Sequence, residues 1–429
     1  FFQAEDGIRD SVASRGLRDV YKRQEYLRRK LEKKRWRVNM RYKYYEMKNV
    51  TRDLGISTPP GLRNWYSVLG WNAKAVDALA DRLVFREFAD DTFDLNGIYN
   101  MNNRDTLFDS AILGALIGSC DFVYIREDEG GNPVLEVIDG ANATGIMDPQ
   151  TGMLTEGYAV LERDERDRPV VEAYFKPHET WVFRDGQEAA ELFETIAPYP
   201  LLVPIVYRPD AKRPFGHSRI SRACMEITAS AIRTLKRSEI SAEFFSFPQR
   251  WVVGTSPDAD PLEKWRVTMS SLLEITKDED GNTPTLGQFA QQSMSPHTEQ
   301  LRMFASLFAG ETGLTLDDMG FPTDNPSSAE AIKAAHENLR LAARKAQRTF
   351  ATGFINAGYL AACIRDNYEY RRQQIYLTTP KWYPVFEPDA AMLSSIGDGA
   401  IKINQAIPGY IDRDNLHDLT GIKGGGLFE

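Results

Sequence analysis

Carboxylates are the residues with the most chemistry to offer in this 429-residue chain. Asp317, Asp318 and Asp324 fall within one short stretch, LTLDDMGFPTDNP, from Leu314 to Pro326. Asp121, Asp139 and Asp148 lie near the ends of apolar period-two runs, and their oxygens are of the kind that a hard divalent cation takes. Turn chemistry explains those three more simply, because Asp side chains close turns by accepting from nearby backbone N–H groups. No metal site is expected. The five histidines, His178, His217, His297, His336 and His417, are scattered singly, and a catalytic base needs a partner to orient it. The chain has no G-x-x-x-x-G-K-[ST] to cradle phosphates, no H-E-x-x-H and no G-x-S-x-G. Gly424-Gly425-Gly426 lacks the strand-then-helix setting of a nucleotide loop. Cys120, Cys224 and Cys363 are far apart, odd in number and without a C-x-x-C pair, which argues for a reducing compartment and against a disulfide framework or zinc. No catalytic residue and no cofactor are named. An enzyme here would be a hydrolase using some of the Asp residues with a divalent ion.

The acidic stretch from Leu314 holds Gly, two Pro, three Asp and one Asn, so it is expected to be a loop. What must position it is the segment that follows. From Ser327, Ile332, Ala335, Leu339, Ala342, Ala346, Phe350, Phe354, Ala357, Ala361 and Ile364 recur at steps of three and four, the signature of one amphipathic helix. Ser327 with Glu330 fits a capping box, and Pro326 bars extension backwards. The run to about Asp366 would measure roughly 55 to 60 Å, a strut long enough to cross most of a domain. Gly353 and Gly358 are the expected place for a bend, each costing about 1 kcal/mol against Ala in a helix. His336 falls on the polar side.

Composition bounds the rest. At 42% hydrophobic the chain can bury a large core, in two or three domains. Fifty-two basic against 61 acidic residues leave a net charge of −9, and a protein that held DNA tightly and statically would show the opposite balance. No apolar run approaches membrane-spanning length, so no membrane partner is expected.

Residues 1–24 resemble the translation of sequencing-adapter read-through and are expected not to be native. Glu25 to Lys48 carries ten Lys/Arg against three Glu, a local excess of +7, interleaved with Tyr26, Leu31, Trp36, Met40, Tyr44 and Tyr45. Two readings stand: a surface for nucleic acid or another anion, or a solvated helix whose basic face docks on an acidic neighbour. Thr58-Pro59-Pro60-Gly61 breaks the chain. Asn72 is expected to cap a helix with a Val76, Leu79, Ala80 and Leu83 stripe, and a second helix to run from Asp105 to Ile117. The pattern then switches to period two. Asp121 to Arg126, Val134 to Ile138, Tyr158 to Leu161, Val170 to Phe175 and Thr180 to Phe183 are expected strands of one antiparallel meander, with turns at Gly130-Gly131, Asp148 to Gly152 and Arg184-Asp185-Gly186. A stiff basic connector ends at Gly216. Ser218 to about Glu243 should be a helix, with Ile220, Cys224, Ile227, Ala231 and Leu235 on one face. A compact mixed insert follows, then a helix capped by Ser295, with Pro296 at its first position and a Leu301, Phe304 and Phe308 face, ending near Gly310 or Gly313. The class is α+β.

This order, with the phrases PFGHSRISRA (Pro214 to Ala223), SAEFFSFPQRWVVG (Ser241 to Gly254) and DNPSSAEAIKAAHENL (Asp324 to Leu339), resembles the portal proteins of tailed bacteriophages, in the branch of long-tailed phages infecting Gram-positive bacteria. The resemblance runs from about Tyr42 to Asp366 and more weakly to Gly421. It implies the portal-protein fold: a mixed α/β wing (25–216), stem helix 1 (217–243), a small α/β clip (244–294), stem helix 2 (295–313), a tunnel loop (314–326), a long kinked wing helix with its following strand (327–385), and the start of a crown (386–429) that is expected to be truncated.

The same resemblance implies a ring of twelve copies, a dodecamer, at the capsid portal vertex of the virion and in the host cytoplasm during assembly, through which double-stranded DNA is packaged and ejected. Its partners would be the terminase large subunit, the major capsid and scaffolding proteins, and a head-completion or tail adaptor protein. The channel-facing residues would be Asp317, Asp318, Met319, Gly320, Phe321, Thr323, Asp324 and Asn325, with Met319 and Phe321 touching DNA sterically, unless Phe321 packs back on the strut. Ile220, Ile227, Leu235, Leu301, Phe304 and Phe308 would form the stem interface between subunits, and Trp251 and Trp265 would belong to the clip. The opposing readings are a phage-encoded metal-dependent nucleic-acid-processing enzyme and a different head-assembly protein that shares only the helical stripe.

Overall fold

The computed structural model describes residues 2–52, 60–62, 64–187, 189–245, 250–253, 283, 285–288, 293–322, 334–386, 388 and 390–422. Its order is α1 (Phe2–Tyr45), α2 (Trp71–Ala80), β1 (Phe85–Ala89), α3 (Leu95–Met101), α4 (Arg104–Gly118), β2 (Cys120–Glu127), β3 (Pro133–Ile138), β4 (Ala143–Met147), β5 (Leu154–Arg163), β6 (Pro169–Lys176), β7 (Glu179–Arg184), β8 (Glu191–Glu194) and β9 (Leu202–Val206). There follow α5 (Arg222–Phe245), β10 (Arg250–Val253), β11 (Thr285–Gln288), α6 (Ser295–Thr312), α7 (Glu337–Arg365), β12 (Thr379–Trp382), α8 (Ala390–Ala406) and α9 (Arg413–Thr420). The α+β class holds.

The expected single meander is two sheets. Strands β4 to β8 form a five-stranded antiparallel meander, while β2 sits between β3 and β9 in a separate three-stranded sheet. The difference comes from β9, which returns to pair with β2 from Cys120 opposite Val206 to Tyr124 opposite Leu202. Its sequence, LVPIV, is continuously apolar and contains Pro204, so it shows no alternation. Pro204 is tolerated because β9 is an edge strand. Asn72 is a second correction: α2 is preceded by Gly70 without a side-chain cap, and the buried Asn72 amide instead donates to Thr228 Oγ1 at 2.9 Å, tying α2 to α5. Ser218 likewise does not open α5. Its hydroxyl donates to the Ile117 carbonyl at 2.7 Å, and Ser221 takes over the capping, accepting from Cys224 N–H at 3.1 Å.

Helix α7 is the element around which the wing packs. Phe350 and Phe354 are fully buried; the Phe354 ring lies 4.0 Å from that of Phe108 on α4, and Phe350 stacks on Tyr207 at 6.1 Å. Tyr99 on α3 donates its hydroxyl to the Phe354 carbonyl at 2.6 Å. The helix runs unbroken through Gly353 and Gly358, where a bend was expected. Both are sites of close approach: a Cβ on Gly353 would meet Ile205 at 2.7 Å and the Pro204 carbonyl at 3.2 Å, and one on Gly358 would meet Leu95 at 3.0 Å. The interruption falls upstream instead. Ala334 and Ala335 are helical, and His336, at φ −91° and ψ 7°, breaks the run before Glu337. The Ser327 and Glu330 cap and Ile332 lie outside the described residues.

Of the clip, the described residues include β10 and β11, an antiparallel pair with Arg250 opposite Gln288. Trp251 is on β10; its side chain and all of Trp265 lie outside the described residues. In the C-terminal part, α9 is held to the wing by Asp418, which accepts from Arg86 Nη2 on β1 at 2.6 Å and also pairs with Lys381 on β12.

The basic helix α1 docks on an acidic neighbour within the same chain. Val20, Leu27 and Leu31 form a small core with Tyr158, Val160 and Tyr174 on one face of the five-stranded sheet. Around it Arg35 pairs with Asp167 at 2.5 Å, Arg28 with Glu172 at 3.6 Å, and Lys30 donates to the Gly145 carbonyl at 2.7 Å. Arg18 to Gln24, expected to be foreign to the native chain, continue this helix, and Gln24 donates to Glu172 at 2.7 Å. The turn role of the aspartates is observed directly: Asp139 accepts from Ala141 N–H and Asp148 from Gln150 N–H.

Asp121 is the exception, because it is buried. It accepts from Gly140 N–H at 2.9 Å, and a Cβ on Gly114 would sit 1.7 Å from its other oxygen. Burial pushes its pKa well above the ordinary carboxylate value, the Asp139 charge adds to this, and Gly140 N–H and Lys34 oppose it. A raised folded-state pKa means that the native form holds the proton more tightly than the unfolded chain, so this group's stabilisation is present at low pH and lost as pH rises through that pKa. Asp121→Asn keeps the acceptor for Gly140 and removes the titration. The difference in melting temperature, variant minus wild type, should therefore grow more positive from pH 4 to pH 8 in calorimetry; a difference independent of pH would remove Asp121 as the cause.

Candidate channel loop and stem

The loop opens where α6 stops. Gly313, at φ +70°, takes the left-handed conformation that ends the helix, and its N–H bonds to the Ala309 carbonyl. The chain then folds into a tight turn: Met319 N–H and Phe321 N–H both donate to the Leu316 carbonyl, at 3.0 and 3.1 Å, and Gly320 N–H to the Asp317 carbonyl at 3.1 Å. Asp318 and Thr315 lock it reciprocally. The Asp318 carboxylate accepts from Thr315 N–H and from its hydroxyl, both at 2.9 Å, while Thr315 Oγ1 accepts from Asp318 N–H at 3.2 Å. His336, at the start of the strut, brings its Nδ1 to 3.7 Å from the same carboxylate.

The expected channel residues therefore separate into two kinds. Leu314 and Met319 are buried in the main core, so Met319 cannot touch a polymer outside the chain, and Phe321 is partly buried against that core. Hydrophobic burial of a flexible Met side chain outweighs its exposure on a loop. Asp317 and Gly320 are exposed. Thr323, Asp324 and Asn325 lie outside the described residues.

Helices α5 and α6, the expected stem, run antiparallel. Thr234 donates to Gln300 Oε1 at 3.1 Å near one end, Ser221 to Glu311 Oε1 at 2.8 Å near the other, and Arg219 reaches the Thr312 carbonyl. Phe308 is fully buried, its ring 5.7 Å from that of Trp71, and Ile220 is buried as well. These two expected interface residues belong to the chain's own core and are not reachable by a neighbouring subunit. Ile227, Leu301 and Phe304 are partly buried against the same core, and Leu235 is half-buried. The physical reason is that α6 packs on both α5 and α2, which uses the face read from its strongest stripe.

The apolar side chains left outside are Met303, 49% exposed, and Leu307, 54% exposed. They are four residues apart and lie opposite Ala305, Phe308 and Ala309. Sequence reasoning missed them although a signal existed: α6 carries a second apolar pair out of phase with the first, and a helix apolar on two sides has two surfaces to cover.

The loop's lock gives a direct test. Asp318→Ala should cost about 1 to 2 kcal/mol of stability, because it removes the acceptor for two donors, whereas Asp317→Ala should cost less than about 0.5 kcal/mol as an exposed substitution. Equal losses in denaturant titrations would show that the turn is not held by the Thr315–Asp318 pair.

Residues 24–389 match the family described as phage portal protein, SPP1 Gp6-like. The portal protein of Mycobacterium phage D29 is 25% identical over 402 residues, covering 89% of this chain and 81% of that protein. The portal protein of Mycobacterium phage L5 is 26% identical over 318 residues, covering 69% and 65% respectively. Among solved structures, a chain in the virion of a native gene transfer agent particle aligns with 90% of this chain and 99% of its own length, at 13% identity and a TM-score of 0.43. A chain in the neck of the native particle, computed with C12 symmetry, covers 90% and 99% at 14% identity and a TM-score of 0.41. With the family matched over residues 24–389, this chain belongs to the phage portal proteins of the SPP1 Gp6-like type and is a structural connector protein.

Proposed function

We propose that twelve copies of this chain close into a ring at the portal vertex of a phage capsid, that double-stranded DNA passes through the ring during packaging and ejection, and that the chain performs no bond chemistry of its own. The ring assembles in the host cytoplasm and offers docking surfaces to the terminase large subunit, to capsid and scaffolding proteins, and to a head-completion or tail adaptor protein. The observation that carries this reading is the pairing of an exposed apolar face on stem helix α6, Met303 and Leu307, with an adjoining turn that leaves Asp317 exposed. A closed ring needs a surface that a neighbour can cover, and it repeats every residue near its axis around the circle.

Repeated carboxylates do not neutralise phosphates or release counterions, so a loop bearing Asp317 spaces a polyanion without gripping it. Asp318 keeps its negative charge while its carboxylate is held against Thr315.

Two substitutions test the reading. Leu307→Asp combined with Met303→Asp should leave the monomer folded, with stability changed by less than about 1 kcal/mol, and should abolish rings in native mass spectrometry or negative-stain imaging; intact rings would exclude this face as the subunit contact. Phe308→Asp is not a substitute, since a charge in the chain's own core costs several kcal/mol. Asp317→Lys should leave rings intact and reduce the yield of packaged DNA in a packaging assay. Normal packaging would remove the loop's electrostatic role, and a folded wild-type monomer with metal-dependent nuclease activity would defeat the connector reading altogether.

A further inference from the structure

Past the break at His336, the first half of α7 presents Arg344, Lys345 and Arg348 to solvent, all three exposed. Steps of one, three and four residues place them on one side of the helix, with about 6 Å of rise between Arg344 and Arg348. The ion pairs this helix makes are elsewhere: Arg340 with Glu337 at 2.6 Å, and Arg365 with Asp366 at 2.9 Å and Asp94 at 3.6 Å. Among the described residues, the three central cations have no ion pair. Like charges four apart on a helix repel, and this cluster stands in a chain whose net charge is −9. The basic face of α1, by contrast, is largely paired within the chain.

We propose that Arg344, Lys345 and Arg348 form a track that contacts the phosphate backbone of duplex DNA. This rests on the connector reading above and adds to it the place where the passing polymer is touched. Charge complementarity favours DNA over a protein occupant. Protein interfaces are anchored by aromatic and other apolar side chains in desolvated pockets, whereas the exposed face here is cationic and includes Thr352, its one large apolar member being Leu341, 51% exposed. Long flexible cationic stems without a base-reading partner give contacts that hold position and carry no sequence preference. The track follows, along α7, the break at His336, whose ring lies 3.7 Å from the Asp318 carboxylate of the acidic turn. The turn repels the polyanion and the track meets it, so contact is confined to a few weak, salt-sensitive points per subunit.

The test uses the full chain and a short fluorescent duplex, with anisotropy read across a salt series. Each phosphate contact contributes about 0.9 to the slope of log K against log salt, so Arg344→Gln, Lys345→Gln and Arg348→Gln together should lower that slope by about 2 to 3 and weaken low-salt binding by about tenfold or more. Arg344→Lys with Arg348→Lys should retain the slope. The triple variant's melting temperature should equal or exceed that of the wild type, because like-charge repulsion is relieved. An unchanged slope overturns the proposal. So does displacement of the duplex by polyglutamate at equal charge concentration, which would assign the track to an acidic protein segment, and so does loss of rings in the folded triple variant, which would assign it to a subunit contact. Absence of rings in the wild type counts against the connector reading alone, since the salt slopes still compare variant with wild type.

Discussion

The wing depends on how closely α7 can approach the strand and helices beneath it. At Gly353 the backbone of α7 lies against the Pro204 carbonyl and Ile205 of β9, and at Gly358 against Leu95 and Tyr99 of α3, at distances that a side chain would violate. Each glycine costs about 1 kcal/mol of helix propensity. Burial of a large apolar side chain such as Phe350 or Phe354 returns about 1.5 to 3 kcal/mol, so the close contact more than offsets the weaker helix. Tyr99 adds a buried hydrogen bond to the Phe354 carbonyl at the same junction. With α7 seated in this way, His336 at its start meets the turn at the Asp318 carboxylate.

The stem follows from a similar competition. Helix α6 has apolar residues on two sides, and the larger set, Ala305, Phe308 and Ala309, is taken by α5, α2 and the core. Met303 and Leu307 are left over. In an isolated chain such a pair is a surface without a partner; in a ring it is the part available to the next copy. Phe308 is thus part of the chain's own core, and the subunit contact proposed above falls on the opposite side of α6.

Charge is distributed with comparable economy. Part of the basic face of α1 is paired locally, Arg28 with Glu172 and Arg35 with Asp167, while Lys30 donates to the Gly145 carbonyl. The buried Asp121 is approached by Gly114 as no larger residue could, while Gly140 lies that close to the Cys120 carbonyl and donates its N–H to Asp121. Two further charged surfaces stand out among the described residues: the turn on which Asp317 is exposed and the short cationic face of α7.

Much of this was legible in the residues alone. The strut's period, the strands from Asp121 to Phe183 other than β4, the helix ending near Gly310 or Gly313 and the loop after it follow from short-range patterns, because backbone hydrogen bonding and side-chain periodicity act over a few residues; β4, ATGIM, is too short and too small in its side chains to show such a pattern. The three sequence phrases around Pro214, Ser241 and Asp324 pointed to the portal family, in agreement with the match from residue 24 to residue 389. Tertiary structure alone decided the rest. That β9 returns to β2, that Asn72 bonds Thr228 rather than capping a helix, that Met319 turns inward, and that Phe308 is core while Met303 and Leu307 face out all depend on which surfaces meet between segments far apart in the chain or between neighbouring helices. Period and composition tell a helix that it has a face to bury, but only packing density and shape determine which of two candidate faces is covered within the chain and which is left for a partner.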